Sequence, residues 1–285
     1  MHWGVITDEV SQDIEEAARF AVRHGMDEVD IRSVNDMSPF ALSRGDYLHI
    51  SEVCKAHGLR IVCIDAPLFK CSINDRETVA KHISEFARLA DIARDIGCRY
   101  IRGFDFWNEG ASVTQRAAEF APIVEICEKT GVICAIESDP SVHASTAKAL
   151  AELLNAIGSP MVQALFDPGN AFWVNERAVP CPDDYGLLRG RIAHIHIKDA
   201  RVVNGHTEAV CVGTGLMDFP RLLRALRLDG YAGGISLETH YRVSGEITEE
   251  QLRLPGGARF TDGAYIASEE STLRLHAFLN DMEKE

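Results

Sequence analysis

The stretch WGVITDEVSQD, residues 3–13, decides between two architectures. Residues 3–7 read as a short strand, and the following residues turn into an amphipathic stretch. An open doubly wound sheet would carry a glycine-rich phosphate turn at this first strand-to-helix junction. TDEVSQD, residues 7–13, contains no glycine. The junction therefore favours a closed barrel.

The rest of the chain repeats the same alternation. Strands are predicted at 3–7, 27–32, 60–65, 99–104, 132–137, 161–167, 192–197 and 233–238. Helices are predicted at 11–24, 46–57, 76–96, 112–129, 144–157, 183–190, 217–228 and 268–283. Gly25, Gly58, Gly97, Gly131, Gly158 and Gly230 follow helical stretches, as C-terminal caps do. Eight β–α units are the number that closes a (β/α)8 TIM barrel, so residues 1–285 are expected to form one α/β domain. No linker or repeat interrupts them. The longest irregular stretch, 240–266, contains LPGGA and is expected to be a lid or a poorly ordered edge.

Composition narrows the function. The 285 residues are 46% hydrophobic and 25% charged, enough to bury a large core. Lys and Arg number 29 against 43 Asp and Glu, a net charge of -14. Such a surface repels phosphate backbones and anionic lipid, so neither nucleic acid nor membrane is an expected partner. No apolar run approaches the ~20 residues that span a bilayer. The eight cysteines form no CxxC pair, and several sit inside apolar runs such as IVCI and VICAI. They read as free thiols in a reducing cytoplasm.

In a barrel of this kind, chemistry gathers at the C-terminal strand ends. There the sequence delivers Asp8 and Glu9, Asp30 and Arg32, Asp65, then Arg102 and Asp105. Strands five to eight end in Glu137, Asp167, His196 and Glu238. One imidazole and three carboxylates make an oxygen-rich site that suits manganese or magnesium, with cobalt, iron(II) or zinc as alternatives. Ala135 and Ser236, one step deeper, leave room beside these groups. In HIHIKDA, residues 194–200, strict alternation puts His194, His196 and Lys198 on one face. His196 is the nearer to the strand end and is the expected ligand. His194 is expected to support it, and Lys198 to stand at the rim. Asp8, Glu9 and Asp105 are expected to be helix caps or solvated loop residues, and His240 a satisfied core histidine.

IAHIHIKDA, FDPGN, IESDPS and GYAGGISLETHY together resemble the xylose-isomerase-like TIM-barrel superfamily of sugar isomerases, epimerases and inosose dehydratases. The resemblance covers essentially the whole chain. It implies a divalent metal held by Glu137, Asp167, His196 and Glu238, with Glu137 and Glu238 also acting as acid and base on a small-molecule sugar. The DNA-repair branch is not matched: Asp65-Ala66-Pro67 and Arg102-Gly103-Phe104 lack its extra histidines, and Asn170 stands where it carries His. The HIKD ending is more like the dehydratase and isomerase branches than the ketose 3-epimerases.

The leading expectation is a metal-dependent sugar isomerase or epimerase working through an enediolate. The alternative is a dehydratase or lyase of a keto-inositol or 3-keto-sugar, with Lys198 or a nearby His as general acid. A non-catalytic sugar-binding barrel ranks third, since all four ligands are present. Arg32, Asp65, Arg102, Asn170 and Trp107 are candidate substrate contacts, with Phe104, Phe172 and Trp173 as further apolar walls. For Arg32 and Arg102, ion pairs with Asp30, Asp65 or Asp105 are the structural alternative. GTG at 213–215 is too short to be a phosphate cradle, and Asp218 is expected to cap the next helix. A homo-oligomer is compatible with the sequence.

Overall fold

The computed structural model describes residues 1–283 except 245, 246, 249, 250, 252 and 254. Eight parallel strands close a ring. They are β1 (His2–Ile6), β2 (Glu28–Ile31), β3 (Arg60–Leu68), β4 (Tyr100–Gly103), β5 (Ile133–Glu137), β6 (Val162–Phe166), β7 (Ile192–Ile197) and, after a hairpin of β8 (Asp199–Val203) and β9 (His206–Val210), β10 (Gly234–Leu237). β1 pairs with both β2 and β10, so the barrel expectation holds.

Alternation sorts the strand residues into two layers. Val5, Ile195, Ile197, Ile235 and Leu237 join the apolar layer shared with the helices. Cys63, Tyr100, Ala135 and Leu165 form a separate small cluster. It fills the barrel interior. Polar residues on the same inward faces then rise above it toward the C-terminal mouth.

The helix Arg76–Ile96 falls where its periodicity puts it. Asp75 caps it by accepting from Thr78 N, and Gly97 ends it at φ 81. The helix predicted at 112–129 is two, Val113–Ala118 and Ala121–Thr130, the second with Pro122 in its first turn. Proline has no N–H to continue the ladder. The one predicted at 183–190 shortens to Tyr185–Leu188.

The hairpin is an addition to the predicted elements. β8 and β9 pair antiparallel through Asn204-Gly205, both at positive φ. Asn-Gly between alternating residues is the signal of a type I′ hairpin turn. The GTG stretch wraps a carboxylate: Asp199 Oδ2 accepts from Gly213 N and Gly215 N, each at 2.9 Å. Asp218 caps the helix Phe219–Leu228, as expected.

Part of the irregular stretch 240–266 is pinned down. Gly257 N donates to Ser33 Oγ at 2.8 Å, and Ala258 N to Asp36 Oδ1 at 2.7 Å. Residues 245, 246, 249, 250, 252 and 254 of that stretch lie outside the described residues. No helix among the described residues is long and apolar enough to cross a membrane.

Candidate metal centre at the barrel mouth

Glu137, Asp167, His196 and Glu238 come together. All four are buried, and their candidate ligand atoms lie within 4.8 Å of one another. Each arrives by a short local device. Asp167 follows β6 and caps the PGN turn: its Oδ1 accepts from Gly169 N at 2.8 Å and Asn170 N at 3.3 Å. Oδ2 is left facing the centre with no hydrogen-bond partner among the described residues. His196 Nδ1 is likewise unpartnered, 3.6 Å from Glu238 Oε2 and 4.0 Å from Glu137 Oε1. One nitrogen and three carboxylates, with His196 Nδ1 left unpartnered among them, fit a divalent cation.

The two glutamates have different keepers. Glu137 Oε2 accepts from Arg102 Nη1 at 3.2 Å, and Glu137 Oε1 from Asn170 Nδ2 at 3.1 Å. Glu238 Oε1 accepts from Arg32 Nη1 at 2.5 Å, and Glu238 Oε2 from Lys198 Nζ at 2.8 Å. Lys198 Nζ is also 2.9 Å from Asp167 Oδ2, an ion-pair contact without hydrogen-bond geometry. Lys198 thus lies deeper than the expected rim position and is only 2% exposed. Gly169 makes its path possible, because a Cβ there would meet the Lys198 side chain and, at 2.8 Å, its carbonyl oxygen.

Burial and charge pull these groups apart. Burial, reinforced by Glu238 and Glu137 and opposed by Lys198, pushes the Asp167 carboxyl up to about 7. Burial and the Glu238 charge also raise Glu137. Burial works the same way on Glu238, but Lys198 and His240 outweigh it and hold that carboxyl well below its ordinary range. Burial disfavours charge on His196, yet Asp65, Asp30 and Glu238 raise its pKa well above the ordinary imidazole value.

Three residues expected to be caps or solvated, Asp8, Glu9 and Asp105, are buried instead, and His240 is buried as a core histidine would be. Helix Ile14–Arg23 is capped by Asp13, so Asp8 and Glu9 are free to turn inward onto Arg32. Arg32 directs its donors to Asp8, Glu9 and Glu238, rather than to Asp30, Asp65 or Asp105. Asp105 pairs with Arg116. His240, at φ 45, sets Nε2 3.2 Å from Glu238 Oε1. A non-glycine residue in that region is strained and often functional. Asp30, which the sequence suggests only as an ion-pair partner, contacts both strand histidines. Its Oδ2 is 2.8 Å from His194 Nε2 and 3.1 Å from His196 Nε2. The period of DEVDIR places Asp30 on the inward face and is the signal for it.

A cavity of about 380 Å³ opens over the centre, lined by Arg102, Phe104, Glu137, Asn170, Trp173, Lys198, Glu238 and His240 among others. A neighbouring one of about 390 Å³ adds Arg32 and Asp65 and shares Lys70, Arg102 and Phe104. Both fall in the size range of small-molecule sites. Trp107 is outside both linings; its ring lies under Arg253, 4.2 Å from the guanidinium carbon. Phe172 is buried in the core.

With this geometry in place, the comparisons with known proteins are specific. Residues 18–260 match the family model described as xylose isomerase-like TIM barrel, and the chain belongs to that family. L-ribulose-5-phosphate 3-epimerase UlaE of Escherichia coli strain K12 is 27% identical over 227 residues, covering 76% of each chain. Among solved structures, D-allulose 3-epimerase from Methylomonas sp., in complex with D-allulose, superposes with a TM-score of 0.70 at 16% identity, covering 94% of this chain and 95% of that one. The IOLI protein with a binding zinc atom gives 0.71 at 17% identity, covering 99% of each.

Proposed function

We propose that the protein is a divalent-metal-dependent isomerase or epimerase of a ketose or keto-sugar. One observation carries the reading: Glu137 and Glu238, from strands three places apart in the ring, both face the cavity beside Asp167 and His196. The epimerase named among the relatives supports it. Glu137, Asp167, His196 and Glu238 would hold the ion, with manganese or magnesium favoured by the three carboxylates. A bound divalent cation supplies the charge that acidifies a C–H beside a carbonyl.

The chain's own groups do the rest. One glutamate carboxylate takes the carbon-bound proton, and the other returns a proton to the enediolate. Arg102 and Asn170 fix the Glu137 carboxylate, and Arg32 fixes that of Glu238, so both stay aimed at the cavity. Lys198 offsets negative charge that develops on substrate oxygen. Arg102, Asn170 and Asp65 contact the sugar hydroxyls, while Phe104 and Trp173 wall the ring. Trp107 contributes through Arg253 at the cavity edge.

Lys198 in the cavity wall also favours a second reading. The same enolate would expel water from a keto-inositol or 3-keto-sugar, with Lys198 Nζ donating the proton. A panel of ketoses, phosphorylated ketoses, keto-inositols and 3-keto-glycosides with manganese, in D₂O, separates the two. Deuterium incorporation with a mass-neutral rearrangement supports the isomerase. An unsaturated ketone, seen by its absorbance, supports the lyase. No turnover and no uptake of any divalent ion would sink both. The chain is further proposed to act as one domain in the cytoplasm, supported by eight buried free thiols. Light scattering would report a homo-oligomer.

A further inference from the structure

We infer that Asp30 is a positioning residue that fixes His196 in one tautomer, so that the imidazole meets the cation through Nδ1. The inference rests on the metal reading above and extends it to a residue behind the ligands.

Three observations carry it. Asp30 is fully buried on β2, and the register of β2 against β3 shifts between Val29 and Asp30. A bulge of that kind re-aims the side chain that follows it. Second, Asp30 Oδ2 lies 3.1 Å from His196 Nε2 and 2.8 Å from His194 Nε2. An ionised carboxylate only accepts hydrogen bonds, so each of those nitrogens must carry the hydrogen. Third, with Nε2 committed, the neutral imidazole that a cation requires has its lone pair on Nδ1, the atom that is unpartnered and faces Glu137 and Glu238. Asp65 is the rival orienter, but its Oδ1 stands 3.8 Å from Nε2, beyond hydrogen-bond reach.

His194 has a defined place in this arrangement. It shares the same carboxylate oxygen, and Ser236 Oγ lies 3.2 Å from its Nε2. The two rings stand at 89° to each other. His194 therefore holds Asp30 against swinging away from His196, and does not itself reach the cation.

Zinc titration of metal-free protein tests the inference, together with long-range ¹H–¹⁵N correlations on zinc-loaded protein labelled at histidine. In the wild type, His196 is expected to show a protonated Nε2 and a metal-bound Nδ1. Asp30→Ala is expected to weaken zinc binding about 10–100-fold. Asp30→Asn, whose amide oxygen still accepts, should restore part of that loss, and Asp65→Asn should change it less than Asp30→Ala. Coordination through Nε2 in the wild type overturns the inference without any variant needing to fold. Equal zinc affinity in Asp30→Ala and wild type overturns it alone. Failure of the wild type to take up any divalent ion overturns the metal reading as well.

Discussion

Lys198 Nζ stands 2.8 Å from Glu238 Oε2, inside a ring of groups that would otherwise be acidic and buried. Its second contact, 2.9 Å from Asp167 Oδ2, makes it the internal counter-charge of the centre. Lys198→Met removes that charge and leaves two buried carboxylates facing each other. Removing one partner of a buried pair costs roughly 3–5 kcal/mol. The metal-free variant should therefore melt well below wild type, and manganese should raise its melting temperature by more than it raises the wild type's. Turnover should fall by about 10²-fold or more if Lys198 steers protons. Thermal melts with and without manganese, beside steady-state kinetics, give both numbers.

Arg32 makes a different kind of contribution. Its guanidinium divides among Asp8, Glu9 and Glu238 and is 1% exposed. Arg32→Leu leaves Asp8 without a cation and takes one of two from Glu9 and Glu238, which keep Arg242 and Lys198, and should cost roughly 3–5 kcal/mol in urea unfolding. Arg32→Lys keeps the charge but loses the planar fork, so its cost should fall between wild type and leucine. A leucine variant as stable as wild type would contradict this account of the cluster.

The pH dependence of metal binding follows from Asp167. Its carboxyl is raised from 3.8 to about 7 by burial and by its acidic neighbours. For the metal-free fold, the stability this group contributes is full below about 3.8 and is lost as pH rises through about 7. A cation must displace the proton held below that point. Affinity should fall as pH drops through about 7, and calorimetry in two buffers should find more proton release at pH ~6, where Asp167 adds its proton, than at pH ~8.5. Affinity that does not change across this window would contradict the assignment.

Gly169→Ala tests the packing beneath the centre. The added methyl would meet the Lys198 side chain and would stand 3.1 Å from Asp167 Oδ1. Overpacking of this kind costs about 1–3 kcal/mol. The variant should also bind zinc more weakly than wild type, because both displaced residues border the ion. Melting and zinc titration on one preparation decide it.

Much of this architecture is legible in the amino-acid sequence. Strand period and glycine caps place the eight barrel strands, and the strand-end rule brings Glu137, Asp167, His196 and Glu238 to one place. Relations between distant segments are what the sequence hides. Nothing local in TDEV says that Asp8 and Glu9 turn inward, since that depends on Arg32, more than twenty residues on, reaching across to them. His240 reads as a core histidine, but nothing in the sequence says that a left-handed backbone sets it against Glu238. The β8–β9 hairpin does have one, in Asn204-Gly205, but it sits between strand periods too short and too polar to stand out beside the barrel strands.

The absent side chain at residue 169 exists for the sake of residue 198, nearly thirty positions away. FDPGN and HIKD are therefore two halves of one device. A chain that pairs the lysine with a bulky residue after DP would have to route the lysine elsewhere, and its mouth would carry a different charge. Sorting barrels of this family by the two motifs jointly should separate those with an internal cation from those without one. Either motif alone would mix them.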